Sequence, residues 1–486
     1  MKKIVLPLAA TVLIVMLSLG VSGSMTKDAQ ALSAKPNIVF ILTDDMRKDD
    51  LNYMPKTQDL LQNKGMTFQN AYVSNPICCP SRATTMTGRY SHNTGVWTNG
   101  DAGMGGWYVY RRNGYEQDNV ATRLDAAGYR TALFGKYLNG YKGTLDGAPY
   151  VPPGWDRWFA TVDPTTYNYR NYDISDNGTI THFGTSDSDY KTDVLSRKTN
   201  TFISNSASLG TPFFAYVAPI APHGPATPAP RDVRTKYDGV SGPRLPSFNE
   251  ADVSDKPPWI RQLPRLTSDQ IAAINTRHEK RIESLQAVDD LVEGVVNTLS
   301  KPTPDGAIPM DNTYIFFTSD NGFHHGEHRI TSEKYRPYEE DIHIPLLARG
   351  PQVPEGSTTY KLTVNTDYLP TFINLAGAQT PNYPVDGRPL KPVLDGSAPP
   401  WRDAILIEGP QRDFVSPSYR GIRTVGTYKQ KYVEYEGTAA REMYYLGDDP
   451  YELTNKPQNP PAGLVSRLQA LKNCSGDSCS AAEEGQ

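Results

Sequence analysis

Short apolar runs punctuate the first 350 residues, and most of them break off at polar or ionisable side chains. Pro36-Asn37-Ile38-Val39-Phe40-Ile41-Leu42-Thr43 ends in Asp44-Asp45, and Arg130-Thr131-Ala132-Leu133-Phe134 runs into Gly135-Lys136. Pro212 to Ala218 leads to Pro222-His223, Thr313 to Ser319 to Asp320-Asn321-Gly322, and Ile344 to Ala348 makes a fifth run. Uninterrupted apolar residues, rather than alternating ones, mark strands buried on both faces, as in parallel sheets. Helical periodicity fills the gaps. Pro55 to Lys64 stops at Gly65, and Gln117 to Ala127 stops at Gly128. Asp269 to Leu299 places Ile271, Ile274, Ile282, Leu285, Val288, Leu291, Val292 and Val295 on one stripe. Strands alternating with helices predict an α/β fold, a mostly parallel central sheet with helices on both faces.

Two stretches, Tyr141 to Tyr190 and Ala221 to Arg265, are rich in turn formers and read as long loops that shape a pocket. Beyond Gly377 the pattern changes. Ala404–Glu408, Tyr419–Thr424, Lys431–Tyr435 and Glu442–Leu446 are closely spaced strand candidates, and a helix follows from about Leu464 to Leu471. That spacing predicts an antiparallel sheet. The expected division is a catalytic domain over 36–377 and a smaller C-terminal subdomain and tail over 378–486.

At the start, Met1-Lys2-Lys3, an apolar stretch from Ile4 to Val21 and Ala29-Gln30-Ala31 form the pattern of a cleavable signal peptide over 1–31. The expectation is a secreted or extracytoplasmic protein without a permanent membrane anchor. Such an address permits disulfides, and Cys474 and Cys479 can close a small loop. The net charge of −4 lacks the basic balance of nucleic-acid binders.

The ionisable residues gather where the apolar runs end. In open α/β sheets ligands bind in the crevice beyond the carboxyl ends of the strands. One polar residue there is often a mere turn former, but Asp44/Asp45, Lys136, His223 and Asp320/Asn321 repeat the placement four times. Asp44, Asp45, Asp320 and Asn321 offer only oxygen ligands, which select Ca²⁺ or Mg²⁺ over Zn²⁺. Carboxylates so close together repel unless a cation joins them.

The stretch around which the rest is organised is Ile77-Cys78-Cys79-Pro80-Ser81-Arg82-Ala83-Thr84-Thr85-Met86-Thr87-Gly88-Arg89. Pro80 suits the first turn of a helix and Gly88 its stop. Cys78 then sits at the positive helix end, a ready anion site, with Arg82 one turn along. Taken alone, burial as small hydrophobes is the usual fate of Cys78 and Cys79, with a strained vicinal disulfide or metal ligation as the alternatives.

Cys-x-Pro-Ser-Arg followed by Thr-Gly-Arg resembles the signature of the sulfatase family, whose fold is alkaline-phosphatase-like. The resemblance extends from Pro36 to about Asn455, including Gly326-Glu327-His328, Lys334 and Asp449-Pro450-Tyr451-Glu452-Leu453. It implies that a maturation enzyme oxidises Cys78 to Cα-formylglycine. It also implies that Asp44, Asp45, Asp320, Asn321 and residue 78 hold one divalent metal, Ca²⁺ ahead of Mg²⁺. Arg82 would support the ionised nucleophile, Lys136 and Lys334 would neutralise sulfate oxygens, and His223 would be the general acid. One departure stands out. Many sulfatases carry Gly-Lys-x-His where this chain has Gly135-Lys136-Tyr137-Leu138-Asn139, and Leu138 cannot act as a base. His92, His324, His325 and His328 are the substitutes. This version resembles the N-acetylglucosamine-6-sulfatase and extracellular glucosamine-6-sulfatase branch, which implies a sulfated sugar or aryl sulfate substrate. The competing classes are a phosphoester or phosphonate hydrolase of the same superfamily, and a catalytically silent carbohydrate-binding relative that keeps Cys78 as a thiol.

Overall fold

Asn37–Thr43 (β1) occupies the middle of a ten-stranded sheet because its side chains are buried in both directions. Ile38, Phe40 and Leu42 enter one apolar core, while Val39 and Ile41 enter the other. The computed structural model describes residues 35–100, 105–234, 236–397, 400–411, 416–427 and 429–484; the signal peptide expected over 1–31 lies outside them.

The other strands of the sheet are Met66–Phe68 (β2), Arg130–Gly135 (β3), Arg157–Thr161 (β4), Tyr172–Asp176 (β5) and Thr179–Phe183 (β6). Phe213–Ala218 (β7), Thr313–Ser319 (β8), Leu346–Arg349 (β9) and Ser357–Thr359 (β10) complete it. Their spatial order is β10-β2-β9-β8-β1-β7-β3-β4-β5-β6. The five from β8 to β4 are mutually parallel. On one side of them β9 pairs antiparallel to both β8 and β2; on the other, β5 and β6 turn back antiparallel.

This is the mixed, mostly parallel sheet that the apolar runs predict, with two corrections. The fifth run forms β9, which is antiparallel to its neighbour. The stretch read as loops between Tyr141 and Tyr190 contributes three strands, β4, β5 and β6. Thr179–Phe183 is exposed or half-buried along its whole length, so no apolar pattern announces it.

Helices cover both faces. Cys78–Thr87 (α1) and Tyr368–Ala376 (α4) pack with Phe40 in the first core. Lys191–Ser208 (α2) and the 32-residue Ser268–Leu299 (α3) supply the second. Phe40 is ringed by Tyr216, Tyr368 and Phe372 at centroid distances of 5.2–5.3 Å. Truncating such a fully buried phenylalanine costs about 3–5 kcal/mol.

The C-terminal meander joins Ala404–Gly409 (β11), Tyr419–Thr424 (β12), Gln430–Tyr435 (β13) and Arg441–Tyr445 (β14) in sequence order, all antiparallel. Alternation divides its first strand. Ile405 and Ile407 join the core beneath β1, whereas Ala404 and Leu406 pack with Leu464, Leu468 and Leu471 of Ala462–Leu471 (α5). Cys474 and Cys479 form a disulfide. Among the described residues no helix is long and apolar enough to cross a membrane.

Candidate active site

Strand register assembles the site. β1 pairs with β8 so that Thr43 lies opposite Ser319, and the next residues, Asp44 and Asp320, leave the sheet side by side. The same level on the other flank is set by Gly135 opposite Ala218. Lys136 follows the first of these, and His223 lies five residues beyond the second. Parallel strands that end together deliver their following residues to one crevice. Asp45 turns the chain away in the left-handed region, with φ of 65°. Its backbone N–H donates to Asp320 Oδ1 at 3.1 Å.

α1 delivers the cysteine. Ile77 is extended, Cys78 opens the helix, and Gly88 closes it in the left-handed region at φ of 67°. All ten residues of the helix are buried. Cys78 Sγ lies 3.3 Å from Asp44 Oδ1 and 4.0 Å from Asp45 Oδ1. Lys334 Nζ donates to Cys78 Sγ at 2.6 Å and is also paired with Asp45 Oδ1. Lys136 Nζ donates to Asp44 Oδ2 at 2.6 Å. Arg82 is wholly buried: Nε donates to Asp320 Oδ2 at 2.8 Å, Nη1 to the Lys136 carbonyl at 2.9 Å, and Nη2 lies 3.7 Å from Asp44. Asn321 Nδ2 donates to Asp45 Oδ1 at 2.7 Å. His223 Nε2 faces Asp45 Oδ2 at 3.6 Å. The nine residues singled out as catalytic or metal-binding therefore stand within one cluster, eight of them buried and His223 half-buried at its rim.

Electrostatics follow from this crowding. Burial opposes ionisation of Asp44, but Lys136, His223, Arg82 and Lys334 outweigh it and hold the carboxyl well below its usual range. Burial and the Asp44 charge push Asp320 up to about 6, against the pull of Arg82. Burial disfavours both ammonium groups, yet Asp44 raises Lys136 and Asp45 raises Lys334. His223 is lowered by burial, against Asp45 and Asp44. Burial and the Asp44 charge push the Cys78 thiol up to about 12. A thiol that stays protonated is a poor nucleophile.

The donor set fits a hard divalent cation. Donor atoms of Asp44, Asp45, Cys78 and His223 lie within 4.8 Å of one another. Asn321 Oδ1 is buried without a hydrogen-bond partner, so a second acceptor oxygen beside the carboxylates is uncommitted. Carboxylate and amide oxygens are the ligands that Ca²⁺ and Mg²⁺ take.

None of the substitute histidines hydrogen-bonds to Cys78, Asp44 or Asp45 among the described residues. His92 bridges Glu408 and the Cys474 carbonyl, at 3.1 and 2.9 Å. His324 pairs with Asp341 and His328 with Glu250, both at 2.7 Å. His325 is buried beside His278 and Phe323. Tyr167 is a neighbour that no sequence pattern singles out. Its ring stacks on His223 at 4.2 Å and lies 4.8 Å from Lys136 Nζ, and its hydroxyl accepts from Asn139.

Residues 36–378 match the Sulfatase family model, and residues 326–472 match N-sulphoglucosamine sulphohydrolase, C-terminal. The chain is 34% identical over 488 residues to human N-acetylglucosamine-6-sulfatase, covering 92% of this chain and 86% of that protein. It is also 34% identical over 391 residues to a Caenorhabditis elegans Sulf-1 homolog, covering 78% of this chain but 53% of the nematode protein. A solved structure, BT4656 in complex with its substrate D-glucosamine-2-N,6-O-disulfate, superposes with a TM-score of 0.73 at 25% identity. The overlap spans 90% of this chain and 97% of that one. The family match over most of the chain, on a fold that brings the signature cysteine to a cluster of side chains able to hold a metal ion, makes this protein a member of the sulfatase family.

Proposed function

We propose that the protein hydrolyses sulfate esters of glucosamine-type sugars, at the 6-position, outside the cytoplasm. The observation that carries this reading is Cys78 at a helix N-terminus, 3.3 Å from Asp44 and 2.6 Å from Lys334. A maturation enzyme converts Cys78 to formylglycine, which supplies a geminal diol with one hydroxyl for attack on sulfur and a second for expulsion of sulfate. Asp44, Asp45, Asp320 and Asn321 would hold one divalent cation, Ca²⁺ ahead of Mg²⁺, which would supply Lewis acidity to the oxygen at residue 78.

The chain's own residues do the rest. Lys136 and Lys334 present point charges to the sulfate oxygens. Arg82 fixes Asp320 and the Lys136 carbonyl, so the carboxylates cannot drift from the nucleophile. His223, as the imidazolium, gives its Nε2 proton to the departing sugar oxygen. Relatives named for N-acetylglucosamine 6-sulfate, and a structural neighbour seen with a glucosamine disulfate, support the sugar.

The test is a peptide mass spectrum across residue 78 from protein matured in a competent host, combined with turnover of N-acetylglucosamine 6-sulfate. Cys78→Ala abolishes ester cleavage, and Cys79→Ala keeps most of it. Equal losses from both, an unconverted thiol in active enzyme, or faster cleavage of aryl phosphate than aryl sulfate would each overturn the reading.

A further inference from the structure

His223 sits on a surface segment, yet its imidazole is fixed from several directions. Its Nδ1 contacts the Gly224 carbonyl at 2.7 Å. A carbonyl only accepts, so Nδ1 carries a proton in either charge state, and Nε2, the nitrogen turned toward the site, carries the transferable proton in the imidazolium. The other restraints come from one short segment between β4 and β5. Tyr167 stacks on the imidazole with an interplanar angle of 22°. Two residues later, the Tyr169 hydroxyl donates to the His223 carbonyl at 2.8 Å.

That segment is itself anchored. Lys191, fully buried at the start of α2, donates from Nζ to the Thr166 carbonyl at 2.7 Å and reaches the Thr165 carbonyl at 3.4 Å. The Lys191 backbone N–H donates to the Tyr169 carbonyl at 2.9 Å. Burying an ammonium group without a carboxylate partner is costly, and these carbonyls are what it receives in exchange. From the other side, Asn139 Nδ2 holds the Tyr167 hydroxyl at 2.7 Å. Asn139 directly follows Leu138, the position at which this stretch departs from the commoner family pattern.

We propose that the segment 165–169 is a strap that orients the His223 imidazole toward the leaving oxygen, with Tyr167 as the positioning residue and Asn139 and Lys191 as its anchors. The proposal rests on the reading of His223 as general acid. A strap of this kind matters in proportion to how much the leaving group needs a proton. A sugar alkoxide needs one, whereas nitrophenolate departs without it. A residue that merely stabilises the fold would lower both reactions alike.

The experiment compares N-acetylglucosamine 6-sulfate with p-nitrophenyl sulfate for Tyr167→Leu, Tyr167→Phe, Tyr169→Phe and His223→Gln in the matured enzyme. Tyr167→Leu lowers kcat on the sugar ester about tenfold or more, a fraction of what a general acid supplies, while KM and the aryl ester change by about threefold at most. Tyr167→Phe keeps the stacked ring but loses the Asn139 anchor, and it recovers the sugar-ester rate only in part. Tyr169→Phe gives a smaller loss of the same selectivity, and it carries the test alone if Tyr167→Leu does not fold. Selectivity in His223→Gln without selectivity in either tyrosine variant overturns the strap and leaves the general acid standing. No selectivity in His223→Gln overturns both.

Discussion

Arg82 offers the most quantitative test of how the site is held together. It is fully buried and serves two partners at hydrogen-bond distance, the Asp320 carboxylate at 2.8 Å and the Lys136 carbonyl at 2.9 Å. Arg82→Met retains volume and apolar stem but leaves Asp320 without its nearest cation. That carboxyl is already pushed up to about 6 by burial and by Asp44, so its ionised form has little other support. Removing one partner of a buried ion pair costs about 3–5 kcal/mol, mostly from the charge left behind. Adding Asp320→Asn to Arg82→Met removes that stranded charge, and about 1–3 kcal/mol of the loss returns. Arg82→Lys falls between, since one ammonium group cannot reach both the carboxylate and the carbonyl. Guanidinium unfolding of wild type, these three variants and Asp320→Asn alone, in the presence of a chelator, measures these differences without a contribution from bound cation. If the double variant is less stable than Arg82→Met by the full cost of Asp320→Asn, the losses are additive. The stranded carboxylate is then not the source of the instability, and the reasoning fails.

Two further predictions concern the surroundings. Burial disfavours the His324 imidazolium, but Asp341 at 2.7 Å raises it to about 9. A folded pKa above the unfolded value of about 6.5 contributes stability that is complete below pH 6.5 and lost as pH rises through about 9. Wild type therefore exceeds His324→Gln by about 3 kcal/mol at pH 6, and the gap closes by pH 10; a gap that stays constant in denaturant titrations across this range would count against the ion pair. Gly135 has φ of 109°, and a β-carbon there would meet the Ala218 carbonyl oxygen at 2.1 Å. Gly135→Ala costs at least about 2 kcal/mol, and it displaces Lys136, so turnover falls with it; a thermal shift near zero with unchanged kcat refutes this.

The apolar runs were legible because burial on both faces leaves an unbroken hydrophobic signature within a few residues. The helix from Cys78 to Gly88 was legible because its proline, its stop and its signature are all local. So was the meander from Ala404 to Tyr445, where regular spacing and short turns need no distant partner. The strands between Arg157 and Phe183 were not: Thr179–Phe183 is an edge strand exposed or half-buried throughout, and the buried Trp158–Thr161 is too short a run to stand out among turn formers. Nor was the direction of Leu346–Arg349, which depends on the strand it meets rather than on its own residues.

Sequence by itself determined which residue types stand at the ends of the central strands, because chain order fixes the side chains that come after each apolar run. Only the tertiary structure decided that they meet. Asp44 joins Lys136 across 92 residues, Arg82 joins Asp320 across 238 and Asp45 joins Lys334 across 289. The first pairing is set by parallel register, a property of two strands and not one; the others also need α1 and the irregular stretch carrying Lys334 to pack against those strand ends. The Tyr167–His223 stack and the Lys191 anchor lie further from any local signal. A ring on an imidazole and an ammonium group on two carbonyls leave no periodicity in the chain, since their energy comes from neighbours that only folding supplies.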